Sequence, residues 1–365
     1  MRRKFLIVQL FVVASLLRAF PSSAQDANYR IAAEISRLQQ SLQANPVTDP
    51  ELAPVASSAS QNLADASTAL KSGQLYHSLE KLLLAEDLLD GARFPVEKSE
   101  TGKAGYPAFE AEWKTVSQTV SSLNQQSRAR DLSRSPAVLR ALTETATARC
   151  APLLDGGRGF ALSTKPADGL FYLGQAQGEA AFANFASSLF LEPTGSPFPL
   201  RSFLPELQAL QRKVNDAFKP PRSIQLHQRF IALNSALKLA QELDAQKSYA
   251  GALYQYLEAT RHFAMLDAPP VDPAKQDSVK AQILVARQKL YASGIDSSIA
   301  GLFLERAVFQ ILHAGGSASA DEWRSAQVIL DSVVPAYLAA QKPAATLPKS
   351  NARTVQLTLV RWPYT

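Results

Sequence analysis

Cysteine, methionine, tryptophan and histidine are all scarce in this chain, which has one, two, three and four of them. A single cysteine excludes an internal disulfide framework. No long charge-free apolar run recurs, so a bundle of transmembrane helices is excluded as well. Apolar residues make up 46% of the chain and charged residues 19%, which is too apolar for a chain disordered throughout. What is left is a globular chain of one large domain or two ordinary ones.

The histidines and the cysteine do not form a recognisable catalytic or metal site. His77, His227, His262 and His313 lie on different predicted helices, without the spacing of metal ligands. We expect each of them to be a surface or half-buried helical residue. Cys150 is expected to be a small buried residue on a helix. The sequence therefore predicts no metal, no cofactor and no catalytic residue.

Residues 1–24 follow the three-part pattern of a secretory signal peptide. A cationic start precedes an apolar run over 5–17, which is too short to cross a bilayer as a helix. Small residues then lead to an expected cleavage site between Ala24 and Gln25. We predict export to the periplasm or the cell exterior, with no membrane span after cleavage. The general secretory route and the twin-arginine route both remain open.

Cleavage changes the charge of the chain. The full sequence has 38 basic and 32 acidic side chains, a net charge of +6. The signal peptide holds four of the basic residues and no acid, so the mature chain has 34 basic and 32 acidic residues. A net charge so near zero provides no electrostatic footprint for nucleic acid. A protein or peptide partner is the expected one, and the oligomeric state is left open.

Apolar residues recur at helical spacing along the mature chain, as at Ile31, Ile35 and Leu38. Capping residues before proline, as at Ser135-Pro136, mark helix starts. The pattern predicts an all-α fold, a stacked array of helical hairpins or α-solenoid with about twelve helices. The predicted spans are 27–44, 50–72, 75–91, 106–128, 135–162, 168–191, 201–219, 223–245, 248–266, 274–292, 296–314 and 320–340.

Glycine marks the expected ends of several helices, at Gly91, at 156–157 and at 315–316. We assign residues 25–340 to one helical-repeat domain, with a soft boundary near 91–107.

The C-terminal tail, 341–365, differs from the rest of the mature chain. Over 354–360 it alternates polar and apolar residues, which is a strand pattern. An all-helical domain offers such a strand no sheet to join. Two readings stay open: the tail packs as an extended segment along its own domain, or its strand pairs with the sheet of a partner.

One short pattern recurs along the chain. The segment 73–85 returns as 247–259, 181–193 and 323–333, each time with a small residue followed four positions later by a large one. In the 181–193 copy the pair is Ala181 and Phe185. Small residues let two helices of a hairpin approach closely, and the large residue packs one turn further along the same face.

These segments resemble the tetratricopeptide repeat, whose helical hairpin carries W-x2-L-G-x2-Y…A-x3-F…P. The copy at 181–193 fits best, and no copy has the tryptophan of the first helix. The resemblance implies a solenoid whose concave face is lined by first-helix residues. A generic helical bundle or toroid is the alternative fold. The residues that match the concave positions are Asn234, Gln241, Asp244, Ser60, Ser67 and Lys71.

Two functions fit such a chain. The first is an exported, non-enzymatic protein that binds protein or peptide partners as an interaction or scaffold module. The second is a secreted α/α-toroid enzyme that acts on polysaccharide, which needs aromatic, histidine, arginine or carboxylate side chains around one funnel. Its candidate residues share one helix: Tyr254, Tyr256, Arg261 and His262. We expect the first function, because Arg261 and His262 diverge around that helix.

Overall fold

The computed structural model describes residues 22–163, 165–193, 195–313 and 318–341. These residues form α-helices joined by turns and loops, and a π-helical turn, Ile329–Val333, joins the last two. The predicted signal peptide before residue 22, the glycines at 315–316 and the predicted strand at 354–360 lie outside the described residues. The helices are α1 Ser22–Ala44, α2 Ala53–Lys71, α3 Leu75–Glu97, α4 Ser99–Lys103, α5 Tyr106–Arg128, α6 Ala137–Ser163, α7 Pro166–Ser187, α8 Leu204–Ala217, α9 Arg222–Gln225, α10 His227–Ala245, α11 Tyr249–Ala264, α12 Gln276–Ala292, α13 Ser298–His313, α14 Ala320–Val328 and α15 Val334–Ala340.

The predicted all-helical class is confirmed, and many predicted ends fall within a few residues of those observed. The predicted stop at Gly91 is wrong, because α3 continues to Glu97. A Cβ atom on Gly91 would lie 2.8 Å from Gln175 Cγ on α7, so this glycine allows a close approach between two helices. The stop at 156–157 is wrong for a similar reason: both glycines lie inside α6, and a Cβ atom on Gly157 would lie 2.9 Å from the Gly169 carbonyl oxygen.

The long helices α3, α6 and α7 form the centre of the molecule. Helix α3 packs against α2 and α7, α6 packs against α7 and α11, and α13 contacts both α3 and α6. The pairs α2/α3, α6/α7 and α10/α11 are helical hairpins, and their packed array is consistent with a helical-repeat fold. The main core runs from α1 to α15, and a second, smaller core lies between α5, α6 and α7. Cys150 belongs to the smaller core, as expected, and burial raises the pKa of its thiol to about 12.

The turns of two hairpins share one unusual backbone feature. Gly73 joins α2 to α3 with φ of +73°, and Lys247 joins α10 to α11 with φ of +61°. In each turn the following residue donates its N–H to the carbonyl five residues earlier, over 2.8 Å in the first turn and 2.9 Å in the second. This is the Schellman pattern of helix ends. The segments 73–85 and 247–259, paired by sequence, therefore begin with the same backbone turn.

The other two copies match less closely. In α7 the buried side chains include Phe182 and Ala183, whereas Ala181 and Phe185 are only half-buried. The copy at 323–333 begins with the buried Trp323 but runs into the π-helical turn.

Candidate functional site

Two concavities lie on different faces of α11. Tyr254 and Glu258 line a cavity of about 580 Å³, which we call the polar cavity. Tyr256 and Phe263 line a groove of about 950 Å³, which we call the apolar groove. Two residues along a helix turn it by about 200°, so positions 254 and 256 point to nearly opposite sides.

A cluster of charged and polar side chains lies in the wall of the polar cavity. The Arg306 guanidinium bonds both Glu80 and Glu258. The Tyr254 hydroxyl donates to Glu80 Oε1 over 2.7 Å, and His77 Nδ1 lies 3.1 Å from Glu80 Oε2. We call these five residues the paired cluster. Their side chains come from α3, α11 and α13, so the cluster connects these three helices.

Both carboxylates of the paired cluster are ionised. Burial alone would raise the pKa of Glu80, but Arg306 and His77 together hold it well below its usual value. Burial acts in the same direction on Glu258, and Arg306 and Arg261 lower its pKa to about 2. An arginine shared between two buried carboxylates therefore outweighs their desolvation.

His77 departs from the sequence expectation, since it is buried and only 2% exposed. Its ring packs on Phe309 with centroids 4.9 Å apart, and the ionised Glu80 accepts from Nδ1. Nδ1 therefore carries the proton, and Nε2 is the ring atom left for another contact. Within the described residues, Nε2 has no hydrogen-bond partner. The same holds for two other atoms at this cavity, Thr145 Oγ1 and Gln310 Oε1.

A second group of buried carboxyls lies further along α3. Glu86, Asp87 and Asp90 of α3 face Glu179 of α7, and we call these four residues the acidic cluster. Arg149 of α6 lies 2.5 Å from Glu179 and 3.4 Å from Asp87. The contact to Glu179 lacks the angles of a hydrogen bond, and both oxygens of this carboxyl have no such partner in the described part of the chain.

Burial sets the ionisation of the acidic cluster. It raises the pKa of Glu179 to about 8, although Arg149 opposes this rise. It raises the pKa of Asp90 to about 6 and that of Glu86 well above its usual value. The cause is the close contact of α3 and α7. A Cβ atom on Gly174 would lie 2.2 Å from the Asp90 carbonyl oxygen, so no side chain separates the two helices there.

The apolar groove runs between α8, α11, α12 and α14. Its floor includes Leu210, Tyr256, Phe263, Val279 and Val328. The π-helical turn between α14 and α15 forms part of its wall. Single π-helical turns in helices are frequent at functional sites.

The six predicted concave-face residues lie on two hairpins. Three of them lie on α2 and three on α10, and none of the six lines the polar cavity or the apolar groove. Asn234, Ser60 and Lys71 are exposed, while Gln241 and Ser67 are half-buried.

The sixth residue, Asp244, is buried and contacts the start of α8. Its carboxylate accepts from Ser202 Oγ over 2.7 Å and from the Phe203 N–H over 2.6 Å. Both carboxylate oxygens therefore bond within the chain, so Asp244 stabilises a helix start and does not face an open surface.

The four residues of the enzyme hypothesis divide between the two concavities. Tyr254 and Arg261 line the polar cavity, and Tyr256 lines the apolar groove. His262 is half-buried, with Nε2 at 3.3 Å from Arg261 Nη2. Burial and the neighbouring Arg261 lower the pKa of His262 to about 4. The four side chains do not converge on one point.

No family model, no curated protein and no solved structure matches this chain. Among the described residues, no group of histidine, cysteine, aspartate and glutamate has the arrangement of a metal site. A search of the same residues finds no helix with the length and apolar character needed to cross a bilayer.

Proposed function

We propose that this chain is an exported, non-enzymatic scaffold that binds a segment of a partner protein in the apolar groove. The observation that carries the proposal is the groove itself, about 950 Å³ between four helices, with an apolar floor. Stacked hairpins generate elongated surfaces of this kind, as in the tetratricopeptide family. The matching turns at Gly73 and Lys247 support a degenerate repeat of that type.

The groove favours a partner segment that binds through apolar side chains. Two acidic residues of its rim already have partners within the chain: Glu206 lies 2.5 Å from Arg201, and Asp267 lies 2.5 Å from Arg222. Recognition is therefore expected to come from burial of apolar surface on the floor, at about 25 cal/mol for each Å² removed from water. A helix or extended peptide with apolar residues on one face has this chemistry.

Polysaccharide cleavage is the weaker hypothesis. A glycosidase needs a carboxylic acid whose raised pKa lets it protonate the leaving oxygen. In the polar cavity the pKa of Glu258 is lowered to about 2, and that of Glu80 is also lowered, so both are poor proton donors. The separation of Tyr254 from Tyr256 is a further argument against a single catalytic funnel.

Export is part of the proposal. Cleavage after Ala24 would retain the buried face of α1, which includes Ala27, Ile31 and Ile35. The mature chain would thus keep its core contacts. Sequencing the N-terminus of the secreted form tests this point, and a chain that keeps residues 1–24 would contradict it.

Site-specific photo-crosslinking tests the groove. A photoreactive residue at Ser278, which is exposed and lines the groove, should capture one partner in cells that express the chain. The same residue at Ser60, exposed on α2, is the matched control and should capture nothing specific. Ala209→Arg places a charged side chain over the groove and should abolish the crosslink from Ser278 without lowering the melting temperature appreciably.

Two outcomes would contradict the proposed site. A specific crosslink from Ser60 or Asn234, with none from Ser278, would show that the partner binds the faces predicted from sequence and not the groove. A crosslink from Ser278 that persists in the Ala209→Arg variant would show that the partner does not occupy the groove.

A further inference from the structure

The polar cavity is a second concavity that the proposed scaffold function does not use. Its volume of about 580 Å³ is of the size that small-molecule sites have. Its lining includes Leu84, which is exposed, and the half-buried Lys81, so part of the lining faces solvent. Helices α11 and α14 line both concavities, but no residue lines both.

Two nearly fully buried side chains in its wall have atoms that are ready to bond a ligand. His77 and Thr145 are each 2% exposed, and both line the cavity. Neither His77 Nε2 nor Thr145 Oγ1 has a hydrogen-bond partner among the described residues. A buried polar atom without a partner costs stability, and a ligand that bonds it recovers that cost.

The charges of the cavity are balanced. Four acidic and four basic side chains line it in the described part of the chain. Arg306 bonds two of the carboxylates, Arg261 Nε bonds Glu258 over 3.0 Å, and Lys81 lies 3.1 Å from Asp65. A charged ligand would have to break one of these pairs, whereas a neutral ligand would not.

The available atoms differ in hydrogen-bonding character. In the neutral His77 ring, whose Nδ1 bonds Glu80, Nε2 is the acceptor. The Thr145 hydroxyl both donates and accepts, and the Gln310 amide oxygen accepts. A ligand that matches all three must donate at least two hydrogen bonds, and it can also accept one from Thr145. The hydroxyl groups of a sugar or polyol have this property.

We propose that the polar cavity binds a neutral, hydroxyl-rich molecule of mono- or disaccharide size through His77 Nε2, Thr145 Oγ1 and Gln310. The site is separate from the apolar groove: its lining comes from α2, α3, α6, α11, α13 and α14, and no residue lines both concavities. The protein would then combine a sugar site with a surface for a protein partner.

Isothermal titration calorimetry of the full mature chain tests the proposal, with glucose, galactose and maltose as probes at millimolar concentration. Glucuronate and glucosamine are the charged comparators. Thr145→Val is the informative variant, because it removes a hydroxyl that has no partner among the described residues and so leaves none of their atoms unpaired. We expect it to weaken binding of the preferred neutral sugar about tenfold.

Thr143→Val is the matched control. Thr143 lies two residues earlier on α6, is also buried, and its hydroxyl also has no partner among the described residues, but it lines a different pocket. Its substitution should leave sugar binding unchanged. The proposal is overturned if none of the three neutral sugars binds, if a charged comparator binds more tightly than glucose, or if both threonine variants weaken binding equally. Failure at the polar cavity would not affect the crosslink from Ser278.

Discussion

Helix α3 contributes to two buried charged clusters whose ionic states are opposite. In the paired cluster, the pKa of Glu80 is lowered although the residue is only 5% exposed. In the acidic cluster, less than two turns further on, the pKa of Glu86 is raised although its burial is similar. Burial acts in the same direction on both residues, so it does not explain the difference.

The position of arginine explains it. Arg306 lies between Glu80 and Glu258 and bonds both, so each carboxylate has a close cation. In the acidic cluster Arg149 reaches Asp87 and Glu179 from a partly exposed position, and Glu86 Oε1 has no hydrogen-bond partner in the described residues. Desolvation is offset when a cation with good geometry faces the carboxylate, and otherwise the carboxyl takes up a proton.

The comparison predicts its largest effect at Arg306. Arg306→Met removes the cation that two buried carboxylates share and leaves Glu258 with Arg261 alone, so we expect it to lower the free energy of unfolding by about 3–5 kcal/mol at pH 7. Urea denaturation measures this value. Adding Glu80→Gln and Glu258→Gln to the same variant should recover most of the loss, since no buried charge then lacks a partner.

Arg158→Met is the control for that experiment. Arg158 lies 2.8 Å from Glu110 at the surface, where solvent screens the pair, so its loss should cost much less stability than the loss of Arg306. If the loss at Arg306 is no larger than this, the paired cluster does not stabilise the centre of the fold.

The next largest loss of stability is expected for Glu258→Gln. The folded pKa of Glu258 is lowered to about 2. Its contribution to the free energy of unfolding is therefore present above its usual pKa of 4.5 and is lost as pH falls through about 2. Glu258→Gln should therefore be less stable than the native chain by about 3 kcal/mol at pH 7. The difference should shrink between pH 4.5 and pH 2. A deficit that is constant across this range would indicate lost packing and not lost charge.

Glu179→Gln should change the stability in the opposite direction, because it should stabilise the protein at high pH. The folded pKa of Glu179 is raised to about 8, so its favourable contribution is complete below pH 4.5 and is lost as pH rises through about 8. We expect the variant to match the native chain near pH 4.5 and to become the more stable of the two as pH rises through about 8. Urea denaturation at the two pH values checks this. A variant that is less stable at both would show that the pairing with Arg149 outweighs burial.

The sequence predicted the helices better than it predicted these clusters, and the reason is the range of the interactions. Apolar spacing is a local signal, and it placed the helix at 106–128 at its observed bounds. Glycine is also read locally as a helix end, but Gly91 serves a contact with α7, which is distant in sequence. The helix ends predicted at Gly91 and at 156–157 are therefore wrong because tertiary packing, which local propensity does not report, determines the role of these glycines.

The polar cavity was only partly visible in the sequence. His77 and Glu80 are three apart, a spacing that places them on one helix face. Arg306 lies 226 residues beyond Glu80, and no local pattern connects them. One signal was present in the repeat: aligning 73–85 with 247–259 places Tyr254 opposite Glu80, and these two side chains bond each other over 2.7 Å. The surface predicted from the same repeat stays untested.

The smallest predicted effect belongs to the turns before α3 and α11, and it provides a reference that does not depend on charge pairing. Lys247 has φ of +61°, where a side chain is disfavoured and glycine is not, and Gly73 occupies the equivalent position with φ of +73°. Lys247→Gly should raise the free energy of unfolding by about 1 kcal/mol, and Gly73→Ala should lower it by a similar amount.

Because these changes act on the backbone, both should have the same size at pH 4.5 and pH 8, unlike the variants of the two clusters. Urea denaturation at both pH values measures this, and a pH-dependent effect at Lys247 would show that its ammonium group interacts with charges that the turn geometry does not reveal.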